Sequence, residues 1–78
     1  MSFCFSFDWL DDNMVTASVA SVTDGSIQVL AMQRERRRRP NGHPTEGIVH
    51  CEALAEAMGA MEQFFRVGVS TRPVGEAR

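Results

Sequence analysis

The chain has no tyrosine, two cysteines, three prolines and one tryptophan among 78 residues, and none of its basic residues is lysine. Cys4 and Cys51 stand far apart with no further cysteines around them, which excludes a disulfide-stapled secreted scaffold and predicts free thiols in a cytoplasmic protein. The longest apolar stretches are broken by Asp, Ser, Thr or Gln well short of the ~18 residues that a membrane-spanning helix needs, so no membrane partner is expected. The opening Met1-Ser2-Phe3-Cys4 lacks a basic start and reaches Asp8 within a few residues, unlike a targeting peptide. The arginine-only basic set fits a GC-rich genome as well as a need for forked recognition, and carries no argument.

A chain of this length supports one domain, and at this size folding buries only roughly 60% of the surface that the unfolded chain exposes. We read residues 1–71 as a single small α+β domain and 72–78 as a frayed tail. The net charge is −2, but the distribution matters more than the sum. Before residue 34 there are Asp8, Asp11, Asp12 and Asp24 and no base. Arg34, Arg36, Arg37, Arg38 and Arg39 then crowd around Glu35, and the rest of the chain is mildly acidic.

From Ser2 to Leu10 the chain alternates strictly, with Phe3, Phe5, Phe7 and Trp9 on one side and Ser2, Cys4, Ser6 and Asp8 on the other. That pattern predicts a half-buried strand. Asp11-Asp12-Asn13 supplies a turn, Met14–Thr23 a second strand, Asp24-Gly25 a hairpin turn of the type I′ kind, and Ser26–Met32 a third strand. A two-residue loop at Asp24-Gly25 sets Val19 opposite Leu30 and Ala17 opposite Met32. A three-residue loop at Asp11–Asn13 sets Trp9 opposite Val15, Phe7 opposite Ala17 and Phe5 opposite Val19. These independent choices agree on one apolar face containing Phe3, Phe5, Phe7, Trp9, Val15, Ala17, Val19, Leu30 and Met32. The other face, with Cys4, Ser6, Asp8, Thr16, Ser18, Ala20, Val22, Ile27, Val29 and Ala31, is mixed, yet too apolar near Asp24-Gly25 for plain solvent surface.

Residues 33–45, with Pro40, Asn41-Gly42 and Pro44, show no hydrophobic period and read as a loop or mobile hairpin tip. Residues 47–50 read as a short fourth strand or the lead-in to a helix. From Cys51 to Phe65 the period becomes helical, with Leu54, Met58, Met61 and Phe65 forming one stripe, Gly59 on the polar side where a close neighbour would explain it, and Arg66 favouring the carboxyl end of the dipole. Val67-Gly68-Val69 reads as a short final strand. The predicted fold is thus a three- or four-stranded antiparallel sheet, β-β-β-(β)-α, with one helix packed on the Phe/Trp face.

Chemistry is sparse. Cys4, His43, His50 and Cys51 are the whole stock of soft ligands, and they lack the paired short-loop spacing of a zinc site, so no metal is expected and the histidines read as solvent residues. Cys51 with His43 or His50 could be written as a nucleophile pair, but one helix on one sheet encloses no pocket, and no catalytic residue is assigned. A lowered Cys51 pKa near the helix start would be reactivity without function. Asp8, Asp11 and Asp12 match no calcium loop and read as turn residues. No phosphate loop or serine triad signature exists, no cofactor is expected, and the aromatic set reads as core.

The arginine run is the one segment above background. The expected function is a non-enzymatic protein-binding module, a small adaptor or stoichiometric inhibitor of a larger complex, of the kind that phages and mobile elements encode, anti-CRISPR inhibitors among them, although no motif identifies one. The partner-binding residues are Arg34, Arg36, Arg37, Arg38 and Arg39 with Val22, Ile27 and Val29, since one helix leaves the latter face uncovered and a protein partner or a homodimer should cover it. The alternative is a small nucleic-acid-binding domain that uses arginines 34–39 against phosphates.

Overall fold

The computed structural model describes residues 1–67; of the final strand expected over Val67-Gly68-Val69 only Val67 is described, and it is helical, while the rest of that strand and the tail expected over 72–78 lie outside the described residues. The chain runs through β1 (Ser2–Asp11), β2 (Met14–Thr23), β3 (Ser26–Arg36), β4 (Glu46–Cys51) and α1 (Leu54–Val67). The four strands form one antiparallel sheet in the order β3-β2-β1-β4, with α1 packed against β1, β2 and β4. Three hairpin-linked strands and a fourth returning beside the first make a Greek-key arrangement. The expected α+β fold is present, with the fourth strand formed.

The β1–β2 register is the expected one: Phe5 pairs with Val19, Phe7 with Ala17 and Trp9 with Val15. The loop is shorter by one residue, because Asp11 pairs with Met14 after an irregularity at Leu10, and the Asp11 carboxylate accepts the Asn13 N–H at 2.7 Å. The core-side faces of these strands meet α1. Phe5, Val15, Ala17, Val19 and Phe64 are wholly buried, and Phe7, Trp9, Val49, Cys51, Met61 and Phe65 nearly so. Phe64 is the hub, 5.1 Å from Phe7, 5.5 Å from Phe5 and 6.2 Å from Trp9 between ring centroids.

Two side-chain assignments are corrected. The β2–β3 ladder carries a bulge: below it Ala20 pairs with Val29 and Val22 with Ile27, as expected, but above it Val19 pairs with Ala31 and Ser18 with Met32. Leu30 is the extra residue, and one extra residue reverses the facing of everything after it. Met32 therefore leaves the Phe/Trp face for the opposite one, and Ala31 joins the core side. The helical stripe is also rotated. Ala57, Met61, Phe64 and Phe65 are buried, while Leu54 and Met58 are 41% and 43% exposed; α1 lies over β1 with β2 and β4 on either side and does not reach β3.

The Asp24-Gly25 hairpin forms, but only Gly25 has positive φ, at 76°. That is the sign pattern of a type II turn and not of type I′. A Cβ on Gly59 would meet nothing within 4 Å, so no close neighbour explains that glycine. Gly47 is different: it pairs with Phe7, and a Cβ there would lie 2.5 Å from Cζ of that ring.

Candidate functional site

Strand β3 continues to Arg36, so the arginine run is half strand and half connection, where a loop from Gln33 onward was expected. Alternation then separates its members. Arg34 pairs with Thr16 and Arg36 with Met14, on the face away from α1, whereas Glu35 pairs with Val15 on the helix side. The Arg34 side chain lies along the sheet and its Nε donates to Thr16 Oγ1 at 3.0 Å.

The connection between β3 and β4 is pinned to the tip of the β1–β2 hairpin. Arg37 N–H donates to Asn13 O at 3.0 Å, Arg39 N–H to Asp12 O at 2.7 Å, and Trp9 N–H to Thr45 O at 2.8 Å. The Arg39 guanidinium is engaged locally, with Nη2 3.0 Å from Asp12 Oδ1 and Nη1 donating to His43 O at 2.6 Å. His43 is half-buried, a departure from the expected solvent histidine. Its ring stands 5.1 Å from Phe7, and the Trp9 indole N–H donates to its Nδ1 at 3.3 Å. The segment caps the aromatic core where the strands end, and Arg39 reads as part of that cap. Arg36 and Arg38 remain exposed and Arg37 half-buried.

Cross-strand pairing defines the open face level by level. Ile27 sits beside Val22. The next level runs Val29, Ala20, Cys4, His50, then Met32, Ser18, Ser6, Ile48, then Arg34, Thr16, Asp8, Glu46. The central serines are joined, with Ser6 Oγ 3.0 Å from Ser18 Oγ. Small polar residues at the centre and larger ones on β3 and β4 make a shallow trough between Met32 and Ile48. Ile27 is 71% exposed, Met32 63%, Val29 52% and Ile48 51%, apolar surface that no element of the described chain covers. The sequence placed Val22, Ile27 and Val29 on this face correctly. It missed Met32 and Ile48, whose membership follows from the bulge and from the formation of β4.

The soft ligands are scattered. Cys4 and His50 are cross-strand neighbours on the open face, Cys51 points into the core, and His43 lies at the far end of the sheet. Among the described residues no three His, Cys, Asp or Glu side chains gather as a metal site. Cys4 and Cys51 are free thiols. Burial pushes the Cys51 thiol up, with Glu56 and Cys4 adding to the shift, against the lowered value that a helix start suggested. Desolvation of a thiolate outweighs a helix terminus when the sulfur lies inside the core.

Among the described residues no helix is long and apolar enough to cross a membrane. No family model, no curated protein and no solved structure matches this chain, so the reading of the site rests on its own geometry.

Proposed function

We propose that the chain is a non-enzymatic protein-binding module, a small adaptor or stoichiometric inhibitor of a larger complex, working in the cytoplasm through its open sheet face and the arginine edge beside it. The observation that carries this reading is the combination, on one face, of exposed Ile27, Val29, Met32 and Ile48 with Arg34 and Arg36. Apolar surface beside forked cations is the composition of protein interfaces, where aliphatic and aromatic contacts supply affinity and arginine supplies orientation.

A phosphate backbone is a poorer match. Asp8 and Glu46 share the level of Arg34, and Arg39 already faces Asp12. The aromatic rings sit in the core, where they offer no stacking platform to bases. Catalysis is disfavoured by the same geometry, because the trough is shallow and holds no base aligned with a nucleophile.

The test compares the wild-type chain with a variant carrying Arg36→Ala, Arg37→Ala and Arg38→Ala as immobilised bait in nuclease-treated extract of the source cells. Protein captured by the wild type and lost from the variant supports the reading. Fluorescence anisotropy with random DNA and RNA at physiological salt should show only weak binding. Tight, salt-sensitive binding lost in the variant would instead establish the nucleic-acid alternative for Arg34–Arg39, with a log–log salt slope near −0.9 per duplex phosphate contact.

A further inference from the structure

The open face carries opposite charges on its two sides, with Arg36 one level beyond Arg34 on the β3 side. Arg34 stands on β3, while Asp8 and Glu46 stand on β1 and β4. Above the level of Arg34 the β3 side is a ridge of Ile27, Val29 and Met32, and the middle of the sheet is a depression floored by Ser6 and Ser18. An acidic partner would complement only one half of this surface and a basic partner only the other.

We infer that the open face pairs with the same face of a second copy about a two-fold axis running along the strands. Rotation about that axis keeps each level at its own height and exchanges the two sides of the sheet. It carries the β3 half of one copy over the β1–β4 half of the other. Arg34 then faces the acidic side of the partner, and Met32 meets the partner's Ile48 on the same level. Both contacts occur twice, as a self-complementary interface requires. The strands of the two sheets run nearly parallel, which is the aligned packing of β-sandwiches.

The size is adequate. With strands about 4.8 Å apart and levels about 6.8 Å apart, the open-face positions of the four strands cover roughly 550 Å², or about 1,100 Å² for the pair, above the roughly 1,000 Å² that a specific interface should clear. Pairing through a free sheet edge, that of β3 or of the short six-residue β4, is the competing geometry. The Leu30 bulge interrupts the regular ladder of β3, and bulged, arginine-bearing edges are a common device against edge-to-edge pairing.

This inference rests on the protein-binding reading and names one occupant of the same surface. Its test is the mass of the purified full-length chain by light scattering and native mass spectrometry, in wild type, in Arg34→Glu and in the double variant Asp8→Arg with Glu46→Arg. The wild type should show twice 8.7 kDa. Each variant alone should be folded by circular dichroism and monomeric, since like charges face one another across its two-fold. An equimolar mixture of the two variants should recover a one-to-one heterodimer, because the reversed charges again meet their opposites. That recovery cannot come from a variant that simply fails to fold.

A monomeric wild type at the highest soluble concentration would overturn the inference. Dimers that persist in both variants would also overturn it in favour of edge pairing, as would monomeric variants that do not recombine. Arg36, Arg37 and Arg38 are intact in these variants. Capture of a protein from nuclease-treated extract therefore reports separately on the protein-binding reading, which stands or falls independently of self-pairing.

Discussion

Replacing Gly47 with alanine should destabilise the domain even though alanine is the better residue for an unstrained strand. The φ of Gly47 is not in the left-handed region, so nothing in the backbone demands glycine. At such a position the substitution ordinarily stabilises by about 0.4–1 kcal/mol, by narrowing the unfolded ensemble. Space decides otherwise here. The new Cβ would lie 2.5 Å from Cζ and 2.6 Å from Cε1 of Phe7. That ring is held by Phe64 stacked at 5.1 Å and by Phe5 at 6.2 Å, with only 5% of the residue exposed.

The ring must therefore shift by about an ångström inside a packed cluster, and overpacking of this kind costs about 1–3 kcal/mol. The net change is about 1–2 kcal/mol of destabilisation. In a domain of this size that is a fall of roughly 5–15 °C in Tm. Urea denaturation should show a lower midpoint with an unchanged slope. A double-mutant cycle isolates the cause: in a Phe7→Leu background, which removes the ring atoms that the new Cβ would meet at a smaller cost than truncation to alanine, Gly47→Ala should be neutral or stabilising. A Gly47→Ala protein as stable as wild type, or equal effects in the two backgrounds, would refute the reasoning.

The same change at Gly59 should act in the opposite direction. A Cβ there meets nothing, so Gly59→Ala should raise stability by up to about 1 kcal/mol, read as a higher denaturation midpoint. Phe64→Ala removes the hub of the aromatic cluster and should cost about 3–5 kcal/mol, enough to leave much of the chain unfolded by near-UV circular dichroism. The raised pKa of Cys51 means that the folded chain holds the thiol proton more tightly than the unfolded chain does. Its contribution is therefore fully present below the ordinary thiol pKa and declines as pH rises through the raised value. Denaturation midpoints measured from neutral pH upward should fall more for wild type than for Cys51→Ala.

The parts of the fold that the sequence made legible are those where one periodicity holds without interruption. Phe3 to Trp9 alternate through a whole strand, and the two hairpin turns are marked by Asp and Gly, so β1, β2 and their pairing follow directly. In β3 the parity of the apolar residues changes between Val29 and Leu30. Ile27 and Val29 are odd and Met32 is even, and this break is the trace of the bulge that carries all three to one face. The pattern alone leaves open whether a parity break means a bulge or two apolar faces. The rotation of α1 was hidden for another reason. Ala57 and Phe64 define the buried side through shape, a small residue allowing close approach and a ring filling the space beyond it, and an apolar stripe of Leu and Met weighs more on a helical wheel. The cap formed by Arg39, Asp12, His43 and Trp9 joins residues from three segments, and no local spacing announces it. At the candidate site, Val22, Ile27 and Val29 were legible because they precede the bulge, whereas the division of the arginines between strand and cap was not.

The central place of β1 has a kinetic consequence. This strand is paired on one side with its immediate neighbour in sequence and on the other with β4, where Phe3 meets Cys51 and Asp8 meets Glu46. The two hairpins can close within microseconds, being local, but joining β4 to β1 closes a loop of several dozen residues whose entropy must be lost before the contact repays it. Until then Phe5, Phe7 and Trp9 have neither β4 nor α1 over them. Refolding should accordingly be limited by this one long-range closure, with tryptophan fluorescence reporting its completion in a single slow phase on the millisecond scale or longer.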